Sequence, residues 1–182
     1  ILIELKQMKR IFLIGFMGSG KTTLGKMLAE KLAYTFIDLD HYIEKRNVKK
    51  IAAIFAESGE DAFREMEHKM LIEVCSFENV VISTGGGTPC YFDNIEIMNN
   101  SGLCIYLKIS NEVLLKRLQK AKEFRPLIKD KSDTDLACFI YETLSKREKY
   151  YTQASIITNN DEENPDEICN KLLSLIHTPA NI

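Results

Sequence analysis

Residues 11–22 read IFLIGFMGSGKT. Four apolar residues, Ile11 to Ile14, run directly into Gly15-x-x-x-x-Gly20-Lys21-Thr22. A short apolar run of this kind reads as a buried parallel strand. Thr22 to Ala33, with Leu24, Leu28 and Leu32 at helical spacing, reads as a helix facing a sheet. The pattern G-x-x-x-x-G-K-[ST] between such a strand and such a helix is a phosphate-binding loop. Its glycines let successive N–H groups point into one hollow at a helix N-terminus, where the macrodipole favours negative charge. Gly18, Ser19, Gly20, Lys21, Thr22 and Thr23 are therefore the candidate nucleotide-binding residues. Lys21 would reach the β- and γ-phosphates, and the Thr22 hydroxyl would ligate Mg²⁺.

Downstream, Tyr34 to Asp40 (YTFIDLD) reads as a short strand that emerges at Asp38. In extended chain Asp38 and Asp40 point to the same side. Acids just past a strand's carboxyl end lie where open α/β sheets bind ligands, which suggests one metal-associated and one substrate-facing carboxylate. Residues 41–58 are expected to form one amphipathic helix, broken at Ser58-Gly59. A second is expected from Glu60 to Cys75, with Phe63, Met66, Met70, Leu71 and Val74 inward. Glu67 lies three residues after Arg64, within reach for a helical ion pair. Two helices without an intervening strand suggest an insertion, about residues 39–75, that forms a binding lobe for a second substrate.

Asn79 to Ser83 is another apolar strand, ending in Thr84-Gly85-Gly86-Gly87-Thr88-Pro89. Three glycines at a strand's carboxyl end allow close approach of a ligand to the backbone. A helix is expected over 92–99, a strand over 103–107, and a helix N-capped by Ser110 and running to about Gln119. Residues 120–131 (KAKEFRPLIKDK) are charge-rich and interrupted by Pro126, which suggests a lid bearing Arg125. A long helix over 133–150 places Arg147 on or beside its inward stripe, where an arginine needs an anionic partner. A fifth strand, 155–158, a polar loop and a helix opened by Asn164-Pro165 complete the chain. Five short strands alternating with helices indicate an α/β three-layer sandwich around a parallel sheet, in a single domain spanning residues 1–182.

Composition narrows the function classes. The chain has 182 residues, a formal net charge of −2 and an ordinary globular balance of 45% hydrophobic and 27% charged residues. That balance gives no general electrostatic drive toward nucleic acid or acidic membranes. Five scattered cysteines without metal-ligand spacing read as reduced, mostly buried thiols of a cytoplasmic protein. No secretory pattern or membrane-length apolar run is evident. Met8 is a candidate natural start, with residues 1–7 upstream of it.

Taken together, GFMGSGKTT, FIDLD, IFAESGEDAFREME, STGGG, FRPLI and an arginine four residues before Tyr151 resemble shikimate kinase, in order and spacing, over nearly the whole chain. The resemblance implies the nucleoside-monophosphate-kinase fold, with sheet order 2-3-1-4-5 and a lid at about 119–131. It implies transfer of the ATP γ-phosphoryl group to the 3-hydroxyl of shikimate, in aromatic amino-acid synthesis. It further implies Asp40 on the shikimate hydroxyls and the reacting proton, and Asp38 on Mg²⁺ through water. Arg64 and Arg147 would hold the shikimate carboxylate. Gly85, Gly86 and Gly87 would meet the ring, with Phe55 and Phe63 lining it. Arg125 would reach the phosphates, and Arg117 would stack on adenine. ATP, Mg²⁺ and shikimate are the expected ligands of a monomer. The nearest rival is another small-molecule P-loop kinase, acting for instance on gluconate. A GTP switch would need an NKxD-type segment, and none is present.

Overall fold

The structure is a computed structural model that describes residues 9–124, 127–161 and 164–177. Its centre is β1 (Arg10–Ile14), whose last four residues are at most 1% exposed. β1 pairs in parallel with β3 (Val80–Ser83) on one side and β4 (Leu103–Lys108) on the other. β2 (Thr35–Asp38) and β5 (Ile156–Asn159) form the edges, so the order is β2-β3-β1-β4-β5, as expected. Strands buried on both faces read as continuous apolar runs, which is why FLI, VVI and CIYL were recognisable.

Helices cover both faces. α1 (Lys21–Leu32) and α7 (Pro165–His177) close one core with Leu13, Leu24, Leu28, Ile105, Ile168 and Leu172. The other core gathers Phe12, Ile14, Ile82, Tyr106 and side chains from α2 (Leu39–Asn47), α3 (Ile51–Val74), α4 (Asn94–Ser101), α5 (Asn111–Lys120) and α6 (Asp133–Tyr151). These are the three layers of the expected sandwich. Among the described residues no helix is long and apolar enough to cross a membrane.

Three local expectations are corrected. The single helix expected over 41–58 is two: α2 ends where Val48 adopts φ 52°, and α3 begins at Ile51. The break at Gly59 is real, but it is a kink within α3 (φ 79°, ψ 177°). Asp40 is not in extended chain. β2 stops at Asp38, which caps α2 by accepting from the His41 amide at 3.2 Å, and Asp40 sits in the first helical turn. The cysteines are free, yet only Cys104 and Cys169 are buried; Cys75 and Cys90 are half-buried and Cys138 is exposed. Short polar-capped helix starts dominate local propensity here, and period alone does not locate them.

Candidate active site

The phosphate loop leaves β1 and enters α1 through Gly20, whose φ of 91° only glycine adopts without strain. No side chain caps α1 and its first turn carries no acid. The amides of that turn are thus available to an anion. Gly18, Gly20, Lys21, Thr22 and Thr23 line a cavity of about 340 Å³ with Met17, Asp38, Asp40, Ser83, Thr84, Gly85 and Gly86. Ser19 is turned away: its side chain is buried and its amide donates to the Phe16 carbonyl. Lys21 Nζ donates to the carbonyls of Gly15 (2.8 Å) and Phe16 (2.9 Å), so the ammonium braces the loop it belongs to. The Thr22 hydroxyl donates to Asp38 Oδ2 at 3.2 Å, a pair of hard oxygen ligands of the type Mg²⁺ takes beside phosphates.

A second cavity, of about 260 Å³, shares Met17, Asp40, Gly85 and Gly86 with the first. It adds Ile51, Phe55, Phe63, Arg64, Glu67, Gly87, Leu127 and Arg147. The cavity lined by the side chains at 64 and 147 therefore adjoins that of the phosphate loop across a wall of four shared residues. Phe55 and Phe63 stack with ring centroids 4.6 Å apart. Arg64 Nη1 bonds to the buried Glu67 at 2.9 Å, the ion pair expected from their spacing. Arg147 lies 5.8 Å from the Phe16 ring. Its positive charge also acts on the Tyr151 hydroxyl, which donates to the Gly86 carbonyl.

Asp40 stands on the wall common to both cavities. Burial, then the negative charges of Glu67 and Asp38, raise its carboxyl to about 6, against the pull of Lys21 and Arg64. A carboxyl tuned toward neutrality in a cleft between a phosphate loop and two arginines is suited to accepting a proton.

A family model described as shikimate kinase matches residues 17–177. The chain belongs to the shikimate kinase family. A shikimate kinase of Parabacteroides distasonis is 52% identical over 173 residues, covering 93% of this chain and 100% of that relative. The crystal structure of the shikimate kinase from Bacteroides thetaiotaomicron superimposes with a TM-score of 0.90 at 50% identity, covering 94% of this chain and 99% of that one. The shikimate kinase from Acinetobacter baumannii, solved in complex with shikimate, gives 0.86 at 32% identity, with 97% of each chain covered.

The three glycines of this shikimate kinase fold are spaces kept for side chains. A Cβ at Gly85 would lie 2.8 Å from Asp40 Oδ1, and one at Gly86 would lie 3.1 Å from Arg147 Nη1. At Gly87 it would lie 2.8 Å from both Nη1 and Nη2 of Arg64. Gly87 has φ −89°, which any residue accepts, so Gly87→Ala strains only the guanidinium. That guanidinium is held from other sides by Glu60, Glu67 and Tyr91 and cannot move aside freely. We expect Gly87→Ala to raise KM for the acceptor acid about tenfold, an overpacking penalty of about 1–2 kcal/mol. KM for ATP should stay unchanged in the same steady-state assay.

Two further residues were expected to contribute. Arg125 lies outside the described residues. Arg117 bridges the Gly18 carbonyl (3.4 Å) and the Asn160 carbonyl (3.0 Å), which ties the phosphate loop to the loop after β5. Asn160 itself is buried and donates to the Ser19 carbonyl at 2.9 Å. Tyr151, Thr88 and Asn160 were not foreseen. Thr88 donates to Glu67, and Asn94 donates to the Thr88 carbonyl. Each acts through another residue, and no periodicity marks such contacts.

Proposed function

We propose that the chain transfers the γ-phosphoryl group of ATP to the 3-hydroxyl of shikimate, with the residues lining the two adjoining cavities as its machinery. The observation that carries this reading is the shared wall of Met17, Asp40, Gly85 and Gly86. It sets a phosphate hollow and a pair of arginines on either side of one carboxylate. Arg64 and Arg147 grip the shikimate carboxylate through charge-assisted hydrogen bonds. Phe55 and Phe63 pack on the ring, and the Gly85–Gly87 backbone orders its hydroxyls. Gly18, Gly20, Lys21, Thr22 and Thr23 receive the phosphates.

Asp40 accepts the proton of the attacking hydroxyl. The acceptor oxygen bonds to the γ-phosphorus, the bond to the bridging oxygen breaks, and ADP leaves. Such transfers depend mainly on alignment and charge stabilisation. Lys21 supplies positive charge where the γ-phosphate's negative charge spreads. Thr22 and Asp38 are the residues that would hold Mg²⁺, which when bound neutralises phosphate charge. All these groups come from one chain, so we read a monomer as the working unit, with no nucleic-acid partner at a net charge of −2.

A coupled assay of ADP release with ATP, with and without shikimate, tests this. Release should require shikimate and should not be supported by gluconate at the same concentration. Shikimate should also raise the melting temperature by mass action, about 2.7 kcal/mol of stabilisation at a hundredfold excess over Kd. ADP release supported by gluconate and not by shikimate would reject the reading.

A further inference from the structure

Arg64 is enclosed on several sides by groups of the chain itself. Nη1 is taken by Glu67, whose side chain is 1% exposed. The Tyr91 ring lies 4.1 Å from Cζ, and Gly87 backs the Nη1–Nη2 end. The remaining edge, Nε with Nη2, is the one that meets a carboxylate as two parallel hydrogen bonds. In this structure it is filled by Glu60 Oε1, at 3.3 Å from Nε and 3.0 Å from Nη2.

Glu60 differs from Glu67 in every respect that bears on mobility. Its side chain is 52% exposed. It follows Gly59, where α3 kinks and where an added Cβ would meet nothing within 4 Å. Its other bond comes from the Tyr91 hydroxyl at 2.8 Å. The hydrogen bonds from Tyr91 and Arg64, and the charges of Arg64 and Arg147, hold its carboxyl below the usual range. Glu60 therefore sits in the field of both arginines, as an incoming carboxylate would.

We propose that Glu60 is a built-in competitor for the acceptor's carboxylate, occupying the open edge of Arg64 in the empty enzyme and swinging out at the Gly59 kink when the acid binds. This rests on the reading of Arg64 as a carboxylate clamp. Glu60 adds to the hold on Arg64 but is not alone in aiming it, because Glu67 and the Tyr91 ring also bear on the guanidinium. Its effect is on selectivity. A simple carboxylate gains only the edge that it takes from Glu60. An acid that also reaches Arg147 and presents hydroxyls to Asp40 gains enough to displace it.

The test is steady-state kinetics of Glu60→Gln at saturating ATP and low ionic strength. The variant keeps the shape and removes the competing charge. KM for shikimate should fall about two- to fivefold, the scale of a partly exposed ion pair. The change should fall on that KM rather than on KM for ATP, and sodium acetate should become a stronger inhibitor competitive with shikimate. Tyr91→Phe, which keeps the ring and removes one bond to Glu60, should shift KM the same way by less. A rise in KM for shikimate in Glu60→Gln, or no change, overturns the proposal, since a residue that merely supports Arg64 weakens binding when altered. Arg64→Lys, which keeps charge and loses the fork, separates the two claims. If its KM for shikimate is unchanged, the clamp reading fails. If its KM rises while Glu60→Gln does not lower KM, only the competitor is rejected.

Discussion

Replacing Asp40 with Asn should lower kcat about 10²–10⁴-fold, the range for removing a positioned proton acceptor, while ATP still binds. Asp40 borders both the phosphate-loop cavity and the cavity of Arg64 and Arg147, and its carboxyl titrates near 6. In the unaltered enzyme, kcat/KM for shikimate should accordingly rise with pH through about 6 and level above it. The same substitution has an opposite effect on the fold. The folded value of about 6 lies above the 3.8 of a free carboxyl, so folding favours the protonated form. The stability tied to that group is fully present below pH 3.8 and is lost as pH rises through about 6. Asp40→Asn should therefore melt higher than the parent at pH 7.5, with the gain shrinking toward pH 4. Differential scanning calorimetry at the two pH values reads this directly. A kcat within tenfold of the parent would remove Asp40 from the proton-accepting role.

Lys21→Met should be as damaging to turnover and opposite in its effect on stability. Loss of one preorganised donor at a site of developing charge lowers kcat about 10²–10³-fold. Here the ammonium also donates to the carbonyls of Gly15 and Phe16 and is only 9% exposed. Methionine leaves those carbonyls without their charged donor, a loss of roughly 1–3 kcal/mol. The variant should melt lower than the parent without nucleotide, and ATP should restore less of that loss than it gives the parent. An unchanged melting temperature would show that the brace contributes nothing to the empty fold.

The sequence disclosed the frame because the frame rests on strong local signals. Each central strand is a short apolar run, and the phosphate loop follows one of them with fixed glycine spacing. Sheet order came from the family resemblance, not from periodicity. The site was half legible. Helical spacing marks Arg64 and Glu67 only as an ion pair, the clamp role of Arg64 came from the family resemblance, and the glycines of 85–87 stand out by their number. The same strings do not say that Gly87 faces the guanidinium of Arg64, or that the Tyr151 hydroxyl reaches the Gly86 carbonyl. Those contacts join residues tens of positions apart and arise only when α3 and α6 dock beside β3. Asp40 shows the limit from the other side: an alternating pattern suggested extended chain, and a capping aspartate two residues earlier turned it into helix.

The parallel register of β1 and β3 pairs Leu13 with Ser83, so the phosphate loop and the glycine loop leave the sheet side by side. The strand ends that carry the two loops consequently stand one interstrand spacing apart, about 4.8 Å, whatever the helices around them present. Those helices carry Arg64 and Arg147; the sheet sets the spacing of the two loops. Residues 41–75 could thus be exchanged for a segment shaped to a different hydroxylated acid, while the two loops, with Asp40 at the start of α2, keep their spacing.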